Sequence, residues 1–212
     1  MEKPTSELTK DYIEEHPDIK SCLKKDLINY SSLARLIAKE LGIEKKTSNE
    51  AILIAARRFQ EKLKLEKDYE KQIKNLLADS EIEIKNKIAI FILEKDLNFN
   101  ELDNIEKTIK KNSGTFYLLE GSGHYTLIIQ EKYSELIISK FVRNVLNKHE
   151  NLTLINLMSP KDIEYIKGVV SYLSSLFTEN GVNIIEMFSF WTDTLFIIET
   201  KDVDKTMKFL KF

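Results

Sequence analysis

The sequence predicts an α+β protein: an all-helical N-terminal region, then two copies of a unit ordered strand, helix, strand, strand, helix. Three observations carry this prediction. Up to about residue 80, apolar residues recur at helical spacing. From Glu81 onward, β-branched residues crowd into short runs separated by helix-length segments. Finally, "GTFYLLE" at 114 matches "GVNIIE" at 181, and "TLIIQ" at 126 matches "TLFIIE" at 194. An offset of 67 to 68 residues therefore recurs at two independent landmarks, which argues for an internal duplication.

The helices follow in order. Ser6 is placed to cap a first helix whose apolar side is Leu8, Tyr12 and Ile13, and His16-Pro17 breaks it because the residue before proline avoids the helical region. Pro17 suits the start of a second helix with Ile19, Cys22, Leu23 and Leu27 inward. In "NYSSLARLIAKELG", Leu33, Leu36, Ile37 and Leu41 share a face and Gly42 ends the helix. Thr47 with Glu50 fits a capping box that opens a longer helix bearing Ile52, Ala55, Ala56, Phe59 and Leu63. Tyr69, Ile73, Leu76 and Leu77 mark one more. Each is too short to persist alone, so they must pack together.

The strands begin with "EIEIKNKIAIFIL". A helix with Leu102, Ile105 and Ile109 follows, then "GTFYLLE", a Gly121-Ser122-Gly123 turn, "HYTLIIQ", and a helix with Leu136, Ile137, Phe141, Val145 and Leu146 inward. The order then recurs: "NLTLINLMSP", a helix from Val169 to Phe177, strands "VNIIEMFSF" and "TLFIIE", and a helix "DVDKTMKFL". The expected organisation is 1–80 helical, 81–150 first repeat, 151–212 second repeat.

Composition narrows the function. The chain of 212 residues is 42% hydrophobic and 31% charged, as in ordinary globular proteins, and no run of eighteen apolar residues predicts a membrane span. The polar N-terminus lacks a secretory apolar region, and the single cysteine, Cys22, removes disulfide pairs and cysteine-rich zinc sites, so a cytoplasmic location is expected. A net charge of −2 gives no global pull toward nucleic acid or acidic membranes. His16, His124 and His149 lie far apart, without metal-ligand spacing or a catalytic motif, so neither metal, cofactor nor enzymatic activity is expected.

Ser31 to Lys64 is readable as a helix-turn-helix, with Lys45, Lys46, Arg57, Arg58 and Lys62 as candidate DNA contacts. Against this, basic and acidic residues nearly cancel over residues 1–80, and the segment after Gly42 is long for a tight turn. A helical unit that docks on protein stands as the alternative.

Residues 155–199, "INLMSPKDIEYIKGVVSYLSSLFTENGVNIIEMFSFWTDTLFIIE", resemble the ACT domain, the small-molecule-sensing module of aspartokinases and other regulated enzymes of amino-acid metabolism. The aspartokinase version is the most similar, in its glycine-valine step, its "ENGVNI" exit and its polar turn at Trp191-Thr192-Asp193-Thr194. The whole layout is similar to archaeal regulators of amino-acid metabolism with an N-terminal helical region. The resemblance implies two tandem ferredoxin-like βαββαβ units, an amino-acid effector site between paired units, and a homodimer formed through the sheets. Two departures stand out: Lys167 occupies the position where many ACT domains have proline, and the chain ends without an evident fourth strand for the second unit. "LTLINLMS" can close the first sheet or open the second, so an interlocked arrangement or pairing between chains is needed.

Gly168 and Gly181 flank one helix in a chain with six glycines. A glycine where a strand turns into a helix lets backbone approach a ligand, and it leaves the first helical N–H groups free to bind a carboxylate. The alternative is that Gly168 merely permits close helix-on-sheet packing. The resemblance implies an effector held by Gly168, Val169 and Val170 of one unit and Asn183 and Ile184 of its partner, with Met158 and Ser159 bordering the side-chain pocket. Gly181 reads as a left-handed helix cap. By the repeat offset, Glu101 stands where Gly168 would be, so the first repeat is expected to lack the pocket. The resulting expectation is a non-enzymatic amino-acid sensor that acts on transcription, or on a metabolic enzyme, through its helical domain.

Overall fold

The structure, a computed structural model, describes residues 3–65 and 69–212. The chain divides into two compact units, residues 1–68 and 69–212.

In the N-terminal unit, α1 (Thr5–Glu15), α2 (Pro17–Lys24), α3 (Tyr30–Glu40) and α4 (Asn49–Lys64) enclose one core that includes Ile13, Leu23, Leu33, Ile37, Ile52 and Leu63. Pro17 opens α2, where its missing N–H costs nothing. Capping differs from expectation at two points. Ser48, not Thr47, caps α4 by accepting the Ala51 N–H at 3.1 Å, while the Thr47 hydroxyl meets that of Thr5 at 2.6 Å. Ser6 lies inside α1, which begins after Pro4 without a side-chain cap. Two residues expected inward are not: Cys22 is exposed and Leu27 is 73% exposed. Leu27 lies beyond α2, where Asp26 turns left-handed (φ 60) and the Leu27 N–H closes back on the Cys22 carbonyl. Along α3 the core takes Ala34 and Ala38 with Leu33 and Ile37, so Leu36 and Leu41 are partly exposed.

The second unit opens with α5 (Tyr69–Ala78). Its Ile73, Leu76 and Leu77 join a core with Val169, Leu173 and Phe177 rather than the N-terminal helices. The boundary therefore falls after residue 68, not at residue 80, because the apolar face of this helix is buried on the sheet side. There follow β1 (Glu81–Glu94), α6 (Phe99–Lys111), β2 (Phe116–Glu120), β3 (His124–Gln130), α7 (Ser134–Phe141), β4 (Val145–Met158), α8 (Val169–Glu179), β5 (Glu186–Phe190), β6 (Asp193–Glu199) and α9 (Val203–Phe209). All six strands pair antiparallel in one sheet, in the order β2-β3-β1-β4-β6-β5.

The repeats are interlocked rather than simply tandem. The second half of β1 pairs with β3 from Ile88 to Glu94, while its first half, Glu81 to Asn86, pairs with Met158 to Thr153 of β4. The second half of β4 also pairs with β6. Each long strand thus serves both units: β4 closes the first with its start and opens the second with its end. The start of β1 supplies the fourth strand that the second unit lacks at its C-terminus. A cut at residue 150 would divide β4 itself.

Helices α6 and α7 cover one face of the first half, over Phe91, Leu127 and Ile129. Helices α5, α8 and α9 cover the second half, over Ile155, Leu157 and Phe196. The other face carries Ile88, Ile90, Ile128, Leu152, Leu154, Leu195 and Ile197. The sheet curls around this face: Tyr117 on the β2 edge lies 5.4 Å from Phe188 on the opposite edge strand, β5 (ring centroids).

Two boundaries move from expectation. Helix α7 ends at Phe141, where the Asn144 N–H turns back to the Phe141 carbonyl, so Val145 and Leu146 begin β4 instead of completing a helix. Strand β5 begins at Glu186 rather than Val182. The Val182 N–H is held by the Phe177 carbonyl in the cap of α8, and the chain rejoins the sheet where the Ile185 N–H meets the Ile197 carbonyl. Among the described residues, no helix is long and apolar enough to cross a membrane.

Candidate functional site

The strand-to-helix passage from β4 to α8 builds a cavity of about 290 Å³. Leaving β4, the chain forms a short 3₁₀ turn over Lys161–Tyr165 and enters α8 through Gly168. Gly168 adopts φ 88, ψ 7, and no side chain caps the helix behind it. A Cβ at Gly168 would meet only Ile73 Cδ1, at 3.8 Å. Clearance is therefore not what requires glycine; the left-handed backbone is. The uncapped first turn of α8 opens onto the cavity, whose walls include Ile163, Ile166, Val170 and Trp191, with Glu164, Ser171 and Ser189 as its polar side chains. Orphan N–H groups and the positive end of the helix dipole make that turn suited to a carboxylate.

The first repeat shows the contrast. The residue before its helix α6 is Asn98, whose Oδ1 accepts the N–H groups of Asn100 and Glu101 at 3.2 and 3.4 Å. Glu101 itself lies in the first turn of α6, and its carboxylate is 3.7 Å from Lys140 Nζ. That helix start is sealed by the chain's own side chain.

The residues singled out in the sequence are not all gathered. Gly168, Val169 and Val170 line the cavity, the Val169 side chain being buried in the core below. Ser159 is buried and committed elsewhere: its hydroxyl accepts from Ser80 at 3.0 Å, and its N–H donates to the Thr192 carbonyl at 2.8 Å. Met158 is half-buried between Glu81 and Asp193 in the sheet register. Asn183 and Ile184 follow the far end of α8; that helix of 11 residues is about 16 Å long at 1.5 Å per residue. Asn183 is exposed and Ile184 packs on the core. Within one chain they do not meet Gly168. Gly181 is the left-handed cap expected (φ 59), with the Gly181 and Val182 N–H groups returning to Thr178 and Phe177.

Sequence reasoning missed Ile163, Glu164, Ile166 and Ser189, and it treated Trp191 only as part of a polar turn. A lone tryptophan in a hairpin turn was the available signal.

In the N-terminal unit, Lys45 and Lys46 lie in the exposed connection between α3 and α4. That connection runs from Leu41 to Ser48, longer than the roughly three to four residues of a helix-turn-helix. On α4, the Arg57 guanidinium sits 5.2 Å from the Tyr30 ring. Arg58 and Lys62 line a separate cleft of about 590 Å³ with Lys10 of α1 and the apolar Ile54 and Phe59. Glu50 and Glu61 share the exposed surface of α4 with these cations.

No protein-family model matches the sequence, and no curated protein sequence is similar to it. Solved structures are. The aspartate kinase of Clostridium acetobutylicum matches with a TM-score of 0.50 and 18% identity over 61% of this chain and 33% of that one. The ligand-free regulatory subunit of aspartate kinase from Thermus thermophilus matches with a TM-score of 0.46 and 7% identity, over 61% and 92% of the two chains. Aspartokinase III of E. coli, in complex with lysine and aspartate, matches with a TM-score of 0.46 and 10% identity, over 61% and 31%. The chain spans about a third of the Clostridium enzyme. At such identities the likeness concerns the fold alone; that to the Clostridium enzyme supports an ACT-domain fold, in agreement with the two interlocked βαββαβ units.

Proposed function

We propose that this protein is a non-enzymatic sensor that binds a free amino acid beside α8 and passes that signal to a target through its helical unit. The observation that carries the reading is the uncapped start of α8 opening on a cavity with one carboxylate, Glu164, on its wall. A zwitterion matches both charges: its carboxylate goes to the helix start and its ammonium to Glu164. The fold supports a regulatory role, since the Clostridium aspartate kinase is an allosteric enzyme.

The same region favours a second copy. Val170 on α8, Met187 on β5 and Trp191 are exposed apolar residues beside the cavity, a kind of surface that marks protein contact. In a homodimer, Asn183 and Ile184 of the partner copy would complete the site. For the helical unit, a protein target such as a metabolic enzyme fits better than DNA. Glu50 and Glu61 lie among the cations of α4, where a phosphate backbone would meet repulsion. A cytoplasmic location accords with this role.

Calorimetry with the twenty amino acids tests the reading. Binding of at least one by the unmodified chain, lost in Gly168→Asp, is the expected result; no binding by any would refute it. A titration against random duplex DNA at rising salt separates the targets, since tight binding that falls steeply with salt would restore DNA.

A further inference from the structure

We propose that the cavity beside α8 selects an amino acid with a bulky apolar side chain, and that Trp191 is the residue that selects it. This rests on the amino-acid reading above and extends it to the other wall of the cavity.

Trp191 is the chain's one tryptophan, and its placement is costly twice over. Its backbone is left-handed, φ 49, at a hairpin position where glycine or asparagine is usual. The residue is 62% exposed, so it contributes little to the core. The turn around it is firmly held. The Thr192 carbonyl accepts the Ser159 N–H at 2.8 Å, Phe190 pairs with Asp193 across the hairpin, and Asn156 Nδ2 donates to Asp193 Oδ1 at 2.7 Å. Trp191 thus lines the cavity from a firmly held turn, with the Lys161 ammonium 5.6 Å from its ring. Ile163, Ile166 and Val170 supply the other apolar surface.

Charge sets the class. Among the described residues, Glu164 is the one charged residue lining the cavity. If it takes the ligand's ammonium, the one counter-charge left for an aspartate or glutamate side chain is the Lys161 ammonium, which already lies over the Trp191 ring. A lysine side chain would add a second ammonium to the same carboxylate, beside Lys161. Of the two serines, Ser189 already shares its hydroxyl with Thr194 at 3.3 Å. What remains for the ligand's side chain is an apolar wall headed by an indole, which suits phenylalanine or leucine. In an apolar pocket each methylene is worth about tenfold or more in discrimination.

The lone tryptophan makes the test direct. The full chain is titrated with phenylalanine, leucine, alanine, aspartate and lysine while tryptophan emission is followed, and affinities are confirmed by calorimetry. Phenylalanine or leucine should change the emission and bind at least about tenfold more tightly than the other three. In Trp191→Ala, with folding checked by circular dichroism, that advantage should vanish while alanine affinity is unchanged; Trp191→Phe should retain it. Equal binding of alanine, aspartate or lysine, or a preference that survives in Trp191→Ala, would overturn the selection while leaving the amino-acid site in place. Absence of binding by any amino acid would overturn both.

Discussion

Lys87 and Asn151 hold the same left-handed backbone, φ 56 and φ 58, at matching points of the two long strands. Each marks a bulge: the β1–β4 register shifts between Asn86 and Ile88, and again between Ile88 and Ile90. One extra residue exchanges the two faces of a strand. Before Lys87, Ile82 packs on the α8 side; after it, Ala89, Phe91 and Leu93 face α6. Asn151 does the same for β4, where Lys148 lies over Phe91 and Ile155 and Leu157 face α8. The paired bulges let one continuous sheet present its helix-covered face correctly in both halves.

A β-branched residue tolerates this backbone poorly. Lys87→Val is expected to cost about 1–3 kcal/mol in urea unfolding, whereas Lys87→Gly should leave stability equal or higher. Equal stability of the valine and glycine variants would show that the bulge does not depend on this conformation.

Gly168 allows strain and ligand contact to be separated. At φ 88 any side chain is strained, so Gly168→Ala should lose about 1–2 kcal/mol. With only Ile73 Cδ1 near the new Cβ, the fold should persist. Gly168→Asp adds a carboxylate beside the open helix start and should abolish amino-acid binding as well. Retained affinity in the aspartate variant, measured by calorimetry, would place the ligand elsewhere.

The element order was legible because periodicity reports which face of a segment is buried, and the buried faces of α4 and α6 matched their apolar spacing. The repeat alignment was right in outline and shifted in detail. It matched Gly114 to Gly181, yet the left-handed cap in the first repeat is Ser113, φ 52, with the Gly114 N–H returning to Ile109. Gly114 is needed for clearance instead, since a Cβ there would lie 2.7 Å from Ile109 Cγ2. The shared strands were legible only as one of two alternatives, interlocking or pairing between chains, because Lys87 and Asn151 carry no glycine signature for the bulges that decide it. The cavity wall was not legible: Ile163 and Ile166 read as ordinary apolar residues, and only the tertiary fold brings Trp191 to face them.

Tyr12 ties α1 to α3 by donating to Glu40 Oε2 at 2.6 Å. Burial first, and then this bond to a carboxylate, push its hydroxyl from the usual 10.0 up to about 12. Because the folded value lies above the unfolded one, this contribution is complete below pH 10 and is lost as pH rises toward 12. The N-terminal unit should therefore weaken over that alkaline window. Tyr12→Phe should cost about 1 kcal/mol at neutral pH and flatten the alkaline decline, as read from thermal melts across pH. An unchanged decline in the variant would assign it to another group.

Trp191 should show stability and binding in opposition. Its left-handed backbone is held by the Ser159 to Thr192 hydrogen bond, which remains in any variant at position 191. Glycine accepts that backbone without strain, and little core contact is lost because the residue is mostly exposed. Trp191→Gly is therefore expected to raise stability by about 1 kcal/mol, seen as a higher melting temperature, while phenylalanine binding falls to the level of alanine. Trp191→Val keeps the strain and should lose both stability and selectivity. A glycine variant less stable than the parent would mean that the indole is held by contacts that contribute more than its backbone costs, and that Trp191 is structural first.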